Sequence, residues 1–170
     1  MMLARVRAGF EWILEAIVIA LMVVLAAVVT VGVVFRTLDN SLVWYDEVAA
    51  ILLAWLTYYG AALAAMKRAH IGFSGLVDSM RPAWRVPAVV LAEVCVFGFF
   101  ILLAYVGWSV MDVLATSYLV SLPEISVMYT QSIIWIGAML FIIAEALMLP
   151  ELIAQARRPG PMRHGPEVNP

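Results

Sequence analysis

Residues that build disulfides, metal sites and haem sites are almost missing from this sequence. It contains one cysteine, Cys95, and two histidines, His70 and His164. A single cysteine cannot form an internal disulfide or a cysteine-rich metal site, so we expect Cys95 to be a small residue packed in an apolar stretch. An intramembrane haem pair is not expected either, because His70 follows a basic pair and His164 lies in a polar tail. The sequence therefore predicts no cofactor and no bound metal.

Charged residues are also scarce. They make up 13% of the chain, whereas hydrophobic residues make up 65%, and the mean hydropathy is +1.01. Soluble domains contain about a quarter charged residues, and a soluble protein of this composition would expose apolar patches large enough to cause aggregation. The composition therefore predicts an integral membrane protein, without a nucleic-acid partner.

The motifs of common enzyme sites are missing as well. The sequence has no His-Glu-x-x-His metal motif, no Gly-rich phosphate loop and no nucleophile elbow. We therefore expect a protein that is not an enzyme.

What the sequence does contain is a set of four long apolar runs. The first, 16–35, holds 20 residues without a charge; at about 1.5 Å per residue it spans a hydrocarbon core about 30 Å thick. It lacks the small-x-small site of a cleaved signal peptide. The predicted fold class is an all-α membrane protein with four transmembrane helices in a single domain over 1–154, followed by a disordered tail. The predicted bounds are about 12–35, 45–66, 87–114 and 127–153 for the helices, and 155–170 for the tail.

The distribution of basic residues predicts the orientation of these helices. If both termini are cytoplasmic, nine of the ten Lys and Arg residues lie on the cytoplasmic side and only Arg36 lies outside. This asymmetry agrees with the positive-inside rule. Adding or removing one helix would divide the basic segments between the two sides. The sequence therefore predicts four helices with the N and C termini in the cytoplasm.

The connection between the second and third predicted helices is basic and carries an apolar stripe. Its apolar residues recur at spacings of three and four, as in an amphipathic helix: Phe73, Leu76, Val77, Met80 and Trp84. Basic flanks and a tryptophan favour a short helix over about 71–85 that lies in the interface and contacts membrane lipids. The alternative is a loop whose apolar side chains cover helix ends, because Gly72, Gly75 and Pro82 disfavour a long helix.

Three carboxylates lie within or near the predicted spans, towards their cytoplasmic ends: Glu15, Glu93 and Glu145. Intramembrane carboxylates can bind protons or cations, which makes a self-sufficient ion-coupled transporter or channel one hypothesis. The alternative is that they pair with a partner chain or with basic residues at the inner rim, such as Lys67, Arg68 or Arg85. The second helix has no midplane carboxylate, and no span shows the unwound ion site of transporter helices. A chain of this kind is poorly equipped to move a solute alone.

The second predicted helix carries more varied residues than contact with lipid requires. Steps of three and four along one face connect the following residues: Glu47, Ile51, Trp55, Tyr58 or Tyr59, Ala62 and Met66. Gly60 and Ala64 have the small-xxx-small spacing that lets two helices approach closely. The residues alone leave two interpretations open: packing within the bundle, or docking to another membrane protein.

An ordered set of residues between 36 and 71 resembles a known family. Arg36 closes the first helix and is followed by Trp44 and Glu47, then by Trp55, by Gly60-Ala61-Ala62, by the basic pair Lys67-Arg68 and by His70-Ile71. In this order, and in length, helix count and topology, the chain resembles the small membrane subunit (DctQ type) of tripartite ATP-independent periplasmic (TRAP) transporters.

The resemblance implies a non-catalytic scaffold subunit in the bacterial inner membrane. Such a subunit associates with a large membrane subunit (DctM type), which carries the substrate and sodium sites, and a periplasmic binding protein (DctP type) delivers an organic acid. The resemblance also implies candidate interface residues: Arg36, Trp44, Glu47, Trp55, Tyr59, Gly60, Ala64 and His70. The transported acid and the helix face that meets the large subunit do not follow from the sequence.

Overall fold

The computed structural model describes residues 2–67 and 82–156. Their regular structure consists of six helices: α1 (Met2–Thr37), α2 (Tyr45–Met66), α3 (Pro82–Ser109), α4 (Met111–Leu114), α5 (Val127–Gln131) and α6 (Ile133–Ala156). Four segments are long and apolar enough to cross a membrane: Arg5–Thr37, Tyr45–Met66, Trp84–Ser109 and Val127–Ala154. The predicted all-α class with four membrane-length helices is therefore confirmed for the described residues, while the orientation of the termini stays a prediction.

Two helices begin earlier in the structure than the sequence predicts. α1 starts at Met2, so its first turns contain the charged residues that the sequence places before the span. α3 starts at Pro82, which suits the first turn of a helix, and Pro87 lies inside it. Trp84 is therefore an exposed residue of α3.

Other predictions fall on parts of the chain beyond the described residues. These are the interfacial segment over 71–81, with Phe73, Leu76, Val77 and Met80, the interface candidate His70, and residues 157–170 of the tail. Residues 155–156 of the predicted tail belong to α6.

The last span is interrupted once, at Ser132, between α5 and α6. The backbone of Ser132 keeps helical dihedral angles, φ −57° and ψ −23°, and its carbonyl oxygen accepts a 3.1 Å hydrogen bond from the backbone N–H of Ile136. Nearby hydroxyls bind carbonyl oxygens of the same turn: Thr130 donates to Val127 at 3.0 Å and Ser132 donates to Tyr129 at 2.7 Å. α5 and α6 thus continue one another as a single membrane-length segment.

The long helices form a row in the order α1, α2, α6, α3. α1 packs against α2, α2 packs against α6, and α6 packs against α3. The short link between α1 and α2 makes them antiparallel neighbours, as the sequence predicts. α2 and α6 therefore occupy the centre of the row, and α1 and α3 lie at its two sides.

That short link begins with a Schellman motif, in which two backbone hydrogen bonds close the end of a helix. Asp39 has a left-handed backbone, with φ 56°. Its N–H donates to the carbonyl of Arg36 at 3.3 Å, and the N–H of Asn40 donates to the carbonyl of Phe35 at 3.1 Å. The motif ends α1 and turns the chain back towards α2.

A glycine allows close approach at each seam between neighbouring helices. Gly32 of α1 lies against the ring of Tyr45 on α2. A Cβ atom at Gly137 of α6 would lie 2.7 Å from Cβ of Tyr58 on α2, and one at Gly107 of α3 would lie 3.2 Å from Cβ of Trp135 on α6. Since Cβ atoms do not approach another carbon atom to 2.7 Å without a shift, a larger residue at Gly137 would push α2 and α6 apart.

The core lies between α1, α2 and α6, near the end of α2. Its buried members are Leu14, Ala62, Ala65, Met66, Phe141 and Ala144. The alanines bring α2 and α6 close together. Phe141 also stacks on Phe100 of α3, with ring centroids 3.7 Å apart and planes 9° from parallel. This stack connects the fourth member of the row to the core.

Candidate functional site

The two ends of the row carry different polar contacts, and we name each end by its central residue. The Glu47 end consists of the links 38–44 and 115–126 and the adjacent helix ends. The Lys67 end consists of the first turns of α1, the end of α2, the start of α3 and the last turns of α6. The broad faces of the row lie between these ends.

At the Glu47 end, the carboxylate of Glu47 fastens the link 115–126 to the first turn of α2. Its Oε1 accepts a 3.2 Å hydrogen bond from the backbone N–H of Val120. Its Oε2 accepts from the backbone N–H of Ser121 at 2.8 Å and from the hydroxyl of Ser121. Glu47, an interface candidate from the sequence, therefore uses its carboxylate within the chain.

Trp55 and Tyr59 are also used within the chain. The indole Nε1–H of Trp55 donates a 2.9 Å hydrogen bond to the carbonyl oxygen of Thr130. That carbonyl lies in the last turn of α5, where helical carbonyls lose their usual donors. Tyr59 is half-buried and packs against the core. The face of α2 that contains these aromatics is thus the face that meets α6 and α1.

Two other interface candidates lie at the rim of the Glu47 end. Arg36 is exposed near the end of α1, and it forms no ion pair with any residue that the structure describes. Trp44 precedes the first turn of α2 and is 37% exposed. Both side chains are accessible to another molecule.

The opposite face of α2 is lined mainly by small side chains. We call this face the α2 strip and define it by Ala50, Leu53, Ala54, Thr57, Gly60 and Ala64, which are exposed or half-buried. A Cβ atom added to Gly60 would meet no atom within 4 Å. The hydroxyl of Thr57 donates to the carbonyl of Leu53 at 2.8 Å. Gly60 therefore has open space beside it, and Ala64, one turn further along the same face, is half-buried.

The exposed faces of the outer helices differ from the α2 strip. They carry large apolar side chains, such as Ile19, Met22 and Val23 of α1 and Leu91, Phe99 and Leu102 of α3. Large aliphatic and aromatic residues are what contact with lipid requires, whereas small residues allow another helix to approach. The structure thus distinguishes the small-residue surface of α2 from the large apolar surfaces of α1 and α3. Composition alone does not distinguish them.

The Lys67 end is held by ion pairs between helices. Nζ of Lys67 lies 2.9 Å from Oε1 of Glu15 and 3.8 Å from Oε1 of Glu11. The hydrogen bond to Glu15 and the charge of that carboxylate raise the pKa of Lys67 above its ordinary value. Glu15 thus has a basic partner at the rim, as one of the two sequence interpretations expects.

A second pair connects α1 to α6. Nη1 of Arg7 lies 3.1 Å from Oε2 of Glu151, and Nη2 of Arg7 donates to the carbonyl oxygen of Leu147. The sequence shows no sign of this contact, because the two partners are 144 positions apart and no local pattern connects them.

The three membrane carboxylates do not form one site. Glu15 lies on α1 and Glu93 lies on α3, at opposite sides of the row, and Glu145 lies on α6. Glu93 and Glu145 are half-buried and each has an interaction of its own. No group of three or more His, Cys, Asp and Glu side chains that could hold a metal occurs in the described ranges.

Cys95 is exposed on α3, so the expectation that it packs in the interior was wrong. α3 lies at one side of the row and packs mainly against α6. The face that carries Cys95 therefore points away from the protein. An apolar neighbourhood in the sequence does not distinguish a lipid-facing position from a packed one.

The comparison with known families agrees with this architecture. The family model of the DctQ component of tripartite ATP-independent periplasmic transporters matches residues 25–155, more than three quarters of the chain. The matched region begins within α1 and ends in the last turn of α6. No curated protein matches the sequence. The chain belongs to the DctQ family, and it is a small membrane subunit of a TRAP transporter.

Proposed function

We propose that this chain is a non-catalytic scaffold subunit in the inner membrane of a bacterium. It supports the sodium-coupled uptake of an organic acid by a large membrane subunit, to which a periplasmic binding protein delivers the acid. Membership of the family supports a tripartite transporter with partners of these kinds. The scaffold role is supported by a row of helices in which Glu15 pairs with Lys67, while Glu93 and Glu145 have interactions of their own.

The observation that carries the proposal is the α2 strip. Lipid tails are as apolar as leucine, so helices associate in a membrane mainly through close packing and polar contacts. A central helix that presents Gly60 and Ala64 to its surroundings is suited to a second helix and not to loosely packed lipid tails. The large subunit therefore docks along the strip, while the exposed faces of α1 and α3 contact lipid.

Contacts within the chain favour some of the interface candidates over others. Glu47, Trp55 and Tyr59 have partners within the chain and act by keeping α2 in place. Gly60 and Ala64 lie along the strip, and Arg36 lies at its Glu47 end, where it suits an acidic group of the partner. Trp44 and His70 remain interface candidates at the two ends of α2.

The test is co-purification of the large subunit with a Gly60→Leu variant in mild detergent. A clash that weakens association by about 1.4 kcal/mol lowers the association constant about tenfold. The matched control is Gly9→Leu, because an added Cβ at Gly9 also meets no atom within 4 Å but lies on α1. We expect the first variant to lose the large subunit and uptake, and the second to keep both.

Two results would contradict the proposal. One is equal recovery of the large subunit with both variants at equal amounts of inserted chain. The other is uptake by this chain alone in vesicles. If that uptake were abolished by replacing Glu15, Glu93 and Glu145 with Gln, the chain would be a self-sufficient ion-coupled transporter.

A further inference from the structure

The link between α4 and α5 is held by hydrogen bonds of its own. The backbone N–H of Leu119 donates to the carbonyl oxygen of Ile125 at 3.1 Å. The backbone N–H of Val127, the first residue of α5, donates to the carbonyl oxygen of Ser117 at 2.9 Å. The two ends of the link are thus bonded to each other, and the link is an ordered turn.

Ser126 connects this turn to both of the short helices beside it. Its hydroxyl accepts a 3.2 Å hydrogen bond from the backbone N–H of Met128 and thereby caps α5. The same hydroxyl donates to the carbonyl oxygen of Leu114, the last residue of α4, at 3.2 Å. α4, the link and α5 therefore form one hydrogen-bonded piece of the chain, and we call residues 111–131 the α4–α5 unit.

The α4–α5 unit is fastened to α2 at two points. The carboxylate of Glu47 accepts hydrogen bonds from the backbone N–H groups of Val120 and Ser121. The indole N–H of Trp55 donates to the carbonyl oxygen of Thr130. Trp55 follows Glu47 by eight positions, which is about 12 Å along a helix. A segment can swing about a single hydrogen bond, whereas two points this far apart also fix its orientation on α2.

The unit joins the long helices on either side of it at two interruptions of the same kind. α3 and α4 meet at Val110, and α5 and α6 meet at Ser132. At each interruption a serine hydroxyl donates to the carbonyl oxygen three residues before it: Ser109 to Val106 at 2.9 Å, and Ser132 to Tyr129 at 2.7 Å. Hydroxyls that bind carbonyls of the preceding turn weaken and bend a helix. The backbone is therefore able to bend on both sides of the unit.

We propose that the α4–α5 unit is a conformational element that belongs to α2, from which it lifts and to which it returns as one rigid piece, bending at Val110 and Ser132. Glu47 and Trp55 act together, because the unit cannot lift until the bonds of both are broken. A shift of α2 is thereby transmitted to the adjoining ends of α3 and α6. All of these contacts lie within the chain, so the unit does not depend on docking of the large subunit.

Hydrogen–deuterium exchange of the full-length chain in nanodiscs distinguishes a rigid unit from separate local bonds. Trp55→Phe removes one of the two fastenings. We expect it to accelerate exchange of the distant amides of Val120 and Ser121 about fivefold, as the loss of one ordinary hydrogen bond predicts. The amides of Leu119 and Val127 should keep their rates, because their bonds lie inside the unit.

The matched control for this measurement is Trp12→Phe, the same change at an exposed position of α1, which should alter none of the four rates. Unchanged exchange of Val120 and Ser121 in the Trp55→Phe variant would overturn the proposal, because each fastening would then act alone. Acceleration of all four amides would also overturn it, since the unit would then unfold and not lift as one piece.

A second experiment follows the movement itself with pairs of spin labels, in a background in which Cys95 is replaced by serine. One pair, Val120 and Ile143, connects the unit to α6. The control pair, Val113 and Tyr129, lies within the unit. All four labelled side chains are exposed, so the labels disturb little packing.

Removal of both fastenings, by Glu47→Ala together with Trp55→Phe, should broaden the distance distribution of the first pair and leave that of the control pair unchanged. Electron paramagnetic resonance measures both distributions. Equal broadening of the two pairs would mean that the unit unfolds. No broadening of either pair would mean that α6, and not α2, holds the unit in place. Either result would overturn the proposal.

Discussion

The indole N–H of Trp55 and the carbonyl oxygen of Thr130 form a hydrogen bond of 2.9 Å between α2 and the last turn of α5. The central aromatic of α2 therefore has its partner within the fold. It holds α5 against α2. The small residues of the α2 strip therefore lie on the opposite face of α2.

We expect Trp55→Phe to lower the stability of the chain by about 1 kcal/mol, the usual net value of one hydrogen bond. A smaller aromatic ring remains and keeps part of the packing, so the large subunit should still co-purify. Thermal unfolding in detergent measures the first effect and co-purification measures the second. Trp12→Phe is the control, because Trp12 is 69% exposed on α1. Loss of the large subunit without loss of stability would show that Trp55 contacts the partner instead.

Replacement of Glu47 should release the link 115–126 from α2. Glu47→Ala removes the acceptor for three donors, two from backbone N–H groups and one from the hydroxyl of Ser121. Hydrogen bonds to charged groups are stronger than neutral ones, so exchange of the amides of Val120 and Ser121 should accelerate roughly tenfold or more. Hydrogen–deuterium exchange in nanodiscs measures this rate.

The neighbouring carboxylate supplies the control for that measurement. Asp46 is exposed in the same turn of α2, and among the described residues it forms no ion pair. Asp46→Ala should leave the exchange of Val120 and Ser121 unchanged. If amide exchange accelerated equally in both variants, the negative charge of the first turn of α2, and not the hydrogen bonds of Glu47, would keep the link in place.

The seam between α2 and α6 should tolerate no side chain at Gly137. A methyl group there would lie 2.7 Å from Cβ of Tyr58, and overpacking of this kind destabilises by about 1–3 kcal/mol. Gly9→Ala has open space around the new methyl group and should stabilise α1 by up to about 1 kcal/mol through helix propensity. Thermal unfolding of the two variants should therefore shift in opposite directions. A neutral Gly137→Ala would contradict the close approach of the two helices.

The stabilisation by the ion pair between Lys67 and Glu15 should depend on pH only in the alkaline range. Its hydrogen bond to Glu15 raises the pKa of Lys67 above the ordinary 10.5, so the protonated lysine stabilises the folded state. That contribution is complete below pH 10.5 and is lost as the pH rises through the higher value in the folded protein.

Unfolding measured at pH 7, 9 and 11 in parallel with Lys67→Arg and Lys67→Gln tests this dependence. Arginine remains charged at all three pH values, so the stability of the Lys67→Arg variant should fall less at pH 11 than that of the unaltered chain. Lys67→Gln should lose only a small amount of stability at every pH, because both partners are partly exposed. An equal fall for the lysine and the arginine forms would exclude the pair as the cause.

The membrane spans could be predicted because long uncharged runs have few alternatives. The sequence predicts the bounds 45–66 for α2, and the structure has the same bounds, since charged residues flank its apolar run. The start of α1 was missed for a related reason. Its early charged residues indicate an exit from the membrane, yet the helix continues through them, and two of them have partners elsewhere in the fold: Arg7 pairs with Glu151 of α6, and Glu11 lies 3.8 Å from Lys67 at the end of α2.

Which face of α2 packs within the bundle could not be predicted from its own residues. Periodicity groups Glu47 with Trp55, but it does not say which neighbour that face meets. The answer depends on the order of the helices in the row, and the contacts that reveal it join residues more than 70 positions apart. The sequence identifies Gly60 and Ala64 as a small-residue pair, but only the structure shows that a side chain at Gly60 would meet open space.

The contact between Arg7 and Glu151 has a mechanical consequence. Helices that lie side by side in a row can slide along one another. Arg7 belongs to the first helix of the row and Glu151 to the third, so the start of α1 reaches past the end of α2 to hold α6. This pair adds a link between the first and third helices of the row, and that link opposes sliding of α1 along α6.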